Sequence, residues 1–146
     1  MTIMDLKKTG AIYLENINEG FNHYTSEIVK LDSGEAFESL KEKKVYADFY
    51  YFKLTDEERS RVNEALSDEE ESYLEEIRPK ENPEENLIFL LDDKLLKILT
   101  RLNEKEILFS TFYITGAKEH QSTWWGNYNR EYVIFSYGGY DKDNKR

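Results

Sequence analysis

Strand-like alternation of apolar and polar positions is clearest between residues 107 and 137. Two runs there, ILFSTFYI and EYVIFSY, are rich in aromatic and β-branched residues, which fit a pleated, half-buried surface. Both faces of each run carry apolar groups, which predicts strands covered on both sides. The polar residues 116–122 predict a hairpin connection, and Gly126, Asn127 and Asn129 predict a bulge or bend in the second arm.

Helical spacing governs the first part of the chain. Apolar residues recur there every three or four positions, which predicts one amphipathic helix that begins near Thr2 or after Gly10. Asp32 and Glu35 have capping-box spacing and predict a short helix directly afterwards. The apolar stripe of the long helix would consist of Tyr13, Ile17, Phe21, Tyr24, Ile28 and Leu31.

The middle of the chain alternates between the two patterns. Residues 45–52, VYADFYYF, alternate with a period of two and predict a strand of the same sheet. Thr55 and Ser67 each precede acidic residues, with a glutamate three positions on, and predict the starts of two consecutive helices. Residues 87–91 fit either a strand or a helix. We expect an extended segment there, followed by a helix over residues 93–103.

These elements predict an α+β fold with a mainly antiparallel sheet, built on the aromatic C-terminal hairpin and packed by several helices. Asn82-Pro83 provides a further helix start signal, with proline at the first helical position. The 146 residues suit one domain. We expect that domain to span residues 1–140, with a disordered tail at residues 141–146.

Composition excludes several classes of protein. The chain has no cysteine, which removes disulfides, thiolate nucleophiles and cysteine metal sites. No apolar run approaches the roughly 20 residues that a membrane helix needs, and the first residues lack the pattern of a secretory signal. We therefore expect a cytoplasmic protein with no membrane association.

The negative charge is concentrated in one segment. The net charge is −10, and residues 55–86 alone contain 13 acidic and four basic residues, a net of −9. Nucleic-acid binding requires lysine and arginine to neutralise phosphates, so the chain is not expected to bind nucleic acid directly. Clustered acidic residues are instead typical either of a solvated helix face or of a surface that docks a basic partner.

Candidate catalytic groups are few. His23 lies within the predicted first helix, and His120 lies beside Glu119 in the hairpin connection, where it could shuttle protons or simply be solvated. Asp92-Asp93 could be paired acids, although they also suit a helix cap. Neither histidine has metal-ligand spacing. The sequence therefore predicts no catalytic constellation, no metal site and no cofactor.

The predicted partner-binding residues combine the acidic helix with exposed aromatic groups. Adjacent strand residues face opposite ways, so one of Trp124 and Trp125 should be buried and the other should lie on the outer face. Tryptophan and tyrosine are frequent binding anchors. The predicted contact residues are Asp68, Glu69, Glu70, Glu71, Glu75, Glu76, Trp124, Trp125 and Tyr128.

Three classes of function remain open. The first is a small acidic module that neutralises a basic protein, such as an immunity protein or antitoxin inhibiting a nuclease toxin. The second is a small enzyme that uses carboxylates and His120, and the third is a structural or phage-type assembly protein. The oligomeric state is not predicted. For the first class, we expect lysine at Glu70 and Glu71 to weaken partner binding while leaving folding nearly unchanged.

Overall fold

The fold combines six helices with one six-stranded sheet in the part of the chain that is described. The computed structural model describes residues 1–116 and 120–137. The helices are α1 (Ile3–Lys8), α2 (Ile17–His23), α3 (Ser33–Leu40), α4 (Asp56–Asn63), α5 (Asp68–Ile77) and α6 (Asp93–Glu104). The strands are β1 (Thr25–Lys30), β2 (Val45–Asp48), β3 (Ile88–Leu90), β4 (Thr111–Ile114), β5 (Ser122–Gly126) and β6 (Glu131–Ser136).

Every strand pair in the sheet is antiparallel, and the spatial order is β1-β6-β5-β4-β2-β3. The predicted α+β class with a mainly antiparallel sheet is confirmed. The aromatic C-terminal strands lie inside the sheet, where Trp124 pairs with Phe112 on one side and Ile134 on the other. The proposed tail at residues 141–146 lies outside the described residues.

The second arm of the predicted hairpin is two strands rather than one bent strand. The chain reverses between β5 and β6, where the Asn127 N–H donates to the Glu131 carbonyl at 2.9 Å. Asn129 and Arg130 both adopt a φ of 61°, a left-handed conformation that asparagine tolerates better than most residues. Two such residues in succession turn the chain back on itself, so the predicted bulge or bend within a single arm is wrong: β5 and β6 are separate antiparallel strands.

The long N-terminal helix was also predicted wrongly. Asn16 caps the short helix α2 by accepting from the Glu19 N–H at 3.0 Å, and the chain is extended again from Tyr24. The following residues form β1, which pairs with β6 along its whole length and places Ile28 opposite Val133. Residues 25–30 have the apolar spacing of a helix, but they form a strand because they pair with β6. Tertiary contacts often override local propensity in this way.

The helix starts predicted at Asp32, Thr55, Ser67 and Asp92 are confirmed. Asp32, Thr55 and Ser67 each accept from a backbone N–H three residues on, and the glutamate at that position bonds back to complete a capping box. Asp92 caps α6 by accepting from the Leu95 N–H at 2.9 Å. The extended segment expected within residues 87–91 is β3.

Two other boundaries differ from the sequence pattern. The strand expected over residues 45–52 ends at Asp48, and a single 3₁₀ turn follows at Tyr51–Lys53. The helix start at Asn82 yields only one turn, in which the N–H groups of Glu85 and Asn86 both donate to the Asn82 carbonyl. β3 begins soon afterwards, and its pairing with β2 leaves no room for the helix to continue.

The sheet separates two apolar layers. Helices α3 to α6 cover one face, where Leu74 and Leu99 belong to the same buried apolar cluster as Phe112 and Trp124 of the sheet. The N-terminal residues cover the other face with α1, α2 and the extended chain between them. On that side the Thr123 hydroxyl donates to the Ile12 carbonyl at 2.6 Å. Among the described residues, no helix combines the length and apolar character needed to cross a bilayer.

Candidate functional site

The acidic side chains of α5 fall into two groups. Asp68, Glu69, Glu75 and Glu76 are exposed. Glu75 pairs with Arg78, and the other three take part in none of the ion pairs of the described residues. Glu70 and Glu71 are half-buried. The carboxylates of Asp68, Glu69 and Glu76 are therefore available to a second molecule.

Glu70 instead stabilises the fold, because its side chain connects α5 to α6. Its carboxylate accepts two hydrogen bonds from the Arg101 guanidinium, at 2.8 and 2.5 Å, and also caps α5 through the Ser67 N–H. Arg101 donates in addition to the Ala65 carbonyl at 3.1 Å. The hydrogen bonds from Arg101 lower the pKa of Glu70 to about 2. This geometry revises the expectation that lysine at Glu70 would leave folding unchanged.

The arginines of the acidic segment are paired with its carboxylates. Arg61 bonds Glu57 at 3.1 Å, and Arg78 bonds Glu75 at 2.8 Å. Arg59 pairs in the same way with Asp56. Such surface pairs contribute little to stability, but each one cancels a charge locally. The negative field of the segment therefore comes mainly from the carboxylates outside these pairs.

A groove of about 600 Å³ lies beside α4. Glu58, Glu64, Arg61 and Lys105 contribute charged groups to its lining. The large apolar side chain of Ile107 is 38% exposed there. The apolar part of the lining consists of Leu54, Val62, Ala65, Ile107 and Leu108.

The predicted aromatic contact residues have different surroundings. Trp124 lies against Tyr132 in the core beneath the helices and is only 8% exposed, so it stabilises the interior and offers little surface. Trp125 points to the opposite face of the sheet, as strand alternation requires, and is half-buried among the N-terminal residues. Tyr128 is 61% exposed and packs edge-on against Phe109.

Tyr128 lies in the turn between β5 and β6, and a contact links this turn to the groove. The Asn129 N–H in the same turn donates to the Glu106 carboxylate at 2.8 Å. Glu106 directly precedes Ile107, which lines the groove beside α4. The Tyr128 turn and the groove are therefore neighbours on the protein surface.

Among the described residues, His23 and His120 share no hydrogen bond or ion pair with Asp92 or Asp93. Glu119, the predicted neighbour of His120, lies outside the described residues. His23 and His120 are both exposed. Asp92 is used as the cap of α6 and also accepts from the Tyr73 hydroxyl. In residues 1–116 and 120–137, no group of three acidic or histidine side chains is arranged to hold a metal ion.

A second concave site lies on the other face of the sheet, at the end of β2. A cavity of about 250 Å³ opens there beside the Asp48 carboxylate. One Asp48 oxygen accepts from the Thr111 N–H at 2.7 Å. Within the described residues, Asp48 is in none of the ion pairs. Aromatic rings form much of the wall, from Tyr13, Tyr50, Phe109, Tyr113 and Trp125.

Electrostatics in this cleft disfavour negative charge. Burial raises the pKa of Asp48 to about 6 against the opposing effect of the Thr111 hydrogen bond. Burial also raises the pKa values of Tyr13, Tyr50 and Tyr113, and the nearby Asp48 charge adds to each of these shifts. Glu15 is the other carboxyl group on the wall.

The chain matches no known family model, curated protein or solved structure significantly. The cleft was not predicted from the sequence, although one signal for it existed. Asp48 is the only charged residue within the aromatic run of residues 45–52, and a lone carboxylate in such a run needs a structural or functional explanation. His120 does not join it, because it precedes β5 whereas the cleft lies where Thr111 pairs with Trp125, at the far end of that strand.

Proposed function

We propose that this protein is a small acidic binding module that neutralises a basic protein through the face formed by α4 and α5. The observation that supports it most is the set of exposed carboxylates on α5, at Asp68, Glu69 and Glu76, that join none of the ion pairs of the described chain. Concentrated charge of one sign accelerates association and selects partners of the opposite sign. An immunity protein or antitoxin that inhibits a nuclease toxin in the cytoplasm fits this description.

The chemistry of nucleases supports that class of partner. A nuclease binds its substrate with lysine and arginine side chains that neutralise phosphates. A rigid surface of carboxylates can occupy the same basic region and compete with the nucleic acid. The chain's own arginines on this face are already paired. Lys94 and Lys97 of α6 line a concavity together with Glu69, but within the described residues they form none of the ion pairs.

The groove beside α4 complements the charged helices. Specific interfaces combine an apolar centre with a polar rim. Here Ile107 and its apolar neighbours lie next to two acidic and two basic groups, those of Glu58, Glu64, Arg61 and Lys105. Tyr128 provides an exposed aromatic ring on the adjoining turn. In this proposal the carboxylates determine the rate and specificity of association, while the groove and Tyr128 contribute buried apolar area.

The decisive experiment compares two charge-reversal variants for binding to a captured partner. Proteins retained by the immobilised wild-type chain from a lysate of its source organism are identified, and a basic candidate is purified. Its binding to Glu69→Lys/Glu76→Lys is then measured by stopped-flow kinetics. We expect the association rate constant to fall about tenfold or more, because exposed interface charges act mainly on association.

The matched control is Glu27→Lys/Glu42→Lys, which changes net charge equally at exposed positions outside α4 and α5. We expect this control to retain most of the wild-type rate, and raising the ionic strength to slow wild-type association. Equal losses in both variants would show that only net charge matters. Binding that is insensitive to salt and to both variants, or the absence of any basic partner, would contradict the proposal.

The assembly hypothesis has its own supporting observation. β1 is an edge strand, and its Ile28 side chain is 60% exposed; exposed edges of this kind can pair with a second chain. We expect Ile28→Lys to abolish any oligomer that forms through this edge. Light scattering over a range of concentrations checks this, and a monomeric wild-type protein would exclude the hypothesis.

A further inference from the structure

We propose that the cleft beside Asp48 binds a small organic ammonium ion. This site lies on the side of the sheet that the N-terminal residues cover, away from α4 and α5. It therefore does not depend on the function proposed for the α4–α5 face. Within the described residues, its link to that proposed binding face is Phe109, which lines the cavity and contacts the Tyr128 ring. The argument rests on the shape of the cavity, its aromatic walls and its single recessed carboxylate.

The position of Asp48 in the sheet explains why its carboxylate faces the cavity. Side chains alternate along β2, so Asp48 lies on the same side as Tyr46 while Ala47 packs beneath the helices. β4 presents Thr111 and Tyr113 on that side. The strand ends at Asp48, and the concave space opens where regular pairing stops.

The charges around Asp48 favour a cation. The Thr111 N–H is a neutral donor, and none of the ion pairs in the described chain supplies Asp48 with a lysine or arginine. Glu15 adds a second carboxyl group to the wall. A ligand anion would meet these carboxylates, whereas an ammonium group would compensate them and act as the counter-ion of a buried charge.

The aromatic rings favour an organic cation over a simple metal ion. Ammonium groups are attracted to the faces of tyrosine and tryptophan. Tyr13 and Tyr113 stack with ring centroids 6.2 Å apart, and the Lys7 ammonium already lies 5.1 Å from the centroid of the Tyr13 ring. The rings that remain for a ligand include those of Tyr50, Tyr113 and Trp125, which line the same cavity. A metal ion requires several oxygen or nitrogen ligands, and no such cluster of acidic or histidine side chains occurs in the described residues.

The size of the cavity limits the ligand. At about 250 Å³, it lies below the range of roughly 300–1,000 Å³ that is usual for drug-sized ligands. The ligand is therefore a small amine or quaternary ammonium compound rather than a peptide. Its charged group would approach the Asp48 carboxylate, and its carbon skeleton would contact the aromatic walls.

The first test compares benzylammonium with benzyl alcohol, which has a similar shape and no charge. The amide signal of Thr111 and the indole signal of Trp125 are followed by NMR during each titration at neutral pH. We expect saturable shifts with benzylammonium and at least tenfold weaker binding of the alcohol, a difference of about 1.4 kcal/mol. Equal binding of the two, or no shift of either signal, would overturn the proposal.

The second test changes the carboxylate. Asp48→Asn keeps an oxygen that can accept from Thr111, and Asp93→Asn removes one exposed carboxylate from α6 as the control. We expect benzylammonium to bind at least tenfold more weakly to Asp48→Asn and equally well to Asp93→Asn. Undiminished binding to a folded Asp48→Asn variant would refute the role of the carboxylate.

A pH series on the unmutated protein keeps the proposal testable if Asp48→Asn does not fold. The carboxylate is protonated as the pH falls through about 6, so benzylammonium affinity should decrease between pH 7 and pH 5. The other titratable groups on the cavity wall are Glu15, Tyr13, Tyr50 and Tyr113. Two cationic groups lie against this wall: the Lys7 ammonium, 5.1 Å from the centroid of the Tyr13 ring, and the Met1 amino group, which donates to the Ile88 carbonyl. The same series on Glu15→Gln separates the contribution of the other carboxyl group on the wall. Affinity that does not change with pH would contradict the proposal.

Discussion

The Glu70 carboxylate bonds both terminal nitrogens of Arg101, which lies 31 residues away on a different helix. Through the same arginine, α6 is tied to the Ala65 carbonyl at the junction of α4 and α5. The two-point geometry fixes the orientation of both side chains. One carboxylate of the acidic helix thus stabilises the fold, while those of Asp68, Glu69 and Glu76 face solvent.

Replacing Glu70 by glutamine should lower the free energy of unfolding by about 1–2 kcal/mol, since a charge-assisted, partly exposed pair is lost. The folded pKa of about 2 lies below the ordinary value of 4.5. The contribution of Glu70 is therefore complete above pH 4.5 and disappears as the pH falls through 2. Urea denaturation at pH 7 and pH 3 measures both effects.

The control for this variant is Glu71→Gln on the next position of the same helix. Its side chain takes part in none of the ion pairs of the described residues, so the change in unfolding free energy should stay within about 0.5 kcal/mol. If Glu70→Gln and Glu71→Gln lowered the free energy of unfolding equally, the ion pair between Glu70 and Arg101 would contribute nothing specific to stability.

Alanine at Gly20 should destabilise the protein, because an added Cβ would lie 2.6 Å from the Phe135 ring and 2.9 Å from Leu14. Overpacking of this kind costs about 1–3 kcal/mol, which exceeds the gain in helix propensity. At Gly34, in the first turn of α3, the nearest atom is 3.5 Å away. Alanine there should be neutral or stabilise by about 0.5 kcal/mol.

Thermal denaturation of the two alanine variants checks this pair. A Gly20→Ala protein that is as stable as Gly34→Ala would mean that α2 can move away from β6. The close packing of the N-terminal residues against the sheet would then be wrong.

Asn103 should be one of the polar residues whose substitution lowers the free energy of unfolding most. Its buried amide accepts from the Ser110 N–H at 2.8 Å, donates to the Ser110 carbonyl at 3.2 Å and donates to the Tyr132 hydroxyl at 3.3 Å. Asn103→Ala should cost about 3 kcal/mol, because both backbone groups of Ser110 lose their partner inside the protein. Chemical denaturation provides the measurement.

The milder variant Tyr132→Phe removes only the longest of these hydrogen bonds and should cost about 1 kcal/mol. A larger loss in Tyr132→Phe than in Asn103→Ala would contradict the view that the Ser110 backbone is the principal partner of Asn103.

Asp48 should destabilise the unliganded protein at neutral pH. Its folded pKa of about 6 exceeds the ordinary value of 3.8, so the protonated carboxyl group favours folding below pH 3.8, and this contribution is lost as the pH rises through 6. Asp48→Asn should therefore be more stable than the wild type at pH 7.5, by on the order of 2 kcal/mol, and should show no gain at pH 4.

The measurement is urea denaturation of both proteins at the two pH values. Asp93→Asn serves as the control, since it removes an exposed charge and should leave the pH dependence unchanged. A constant difference between wild type and Asp48→Asn across this pH range would mean that Asp48 titrates normally.

Much of the fold follows from interactions between residues close together in the chain. Thr55 with Glu58 and Ser67 with Glu70 complete capping boxes within a single turn, so their helix starts could be predicted from spacing alone. The aromatic content of β4 and β6 likewise predicted strands inside the sheet. Strand alternation alone was sufficient to predict that Trp124 and Trp125 lie on opposite faces of β5.

Other features depend on partners that spacing does not reveal. Residues 25–30 have helical periodicity, yet they form β1 because the edge of β6 offers a complete set of hydrogen bonds. The turn at residues 127–130 looked like a bulge because a local sequence does not show whether the chain continues or reverses. The strand at residues 25–30 depends on pairing with β6, more than 100 residues further along the chain. The turn depends on β6 pairing back onto β5.

The amino-acid sequence by itself determined the helix caps, the strand periods and the location of the net negative charge, because each depends on residue identity and short-range spacing. Only the tertiary structure decided that Glu70 is paired with Arg101 while Glu69 faces solvent, and that Asp48 borders an aromatic cleft. The physical reason is that pairing, burial and pKa depend on which distant groups the fold brings within a few ångströms, and this proximity is a property of the whole chain.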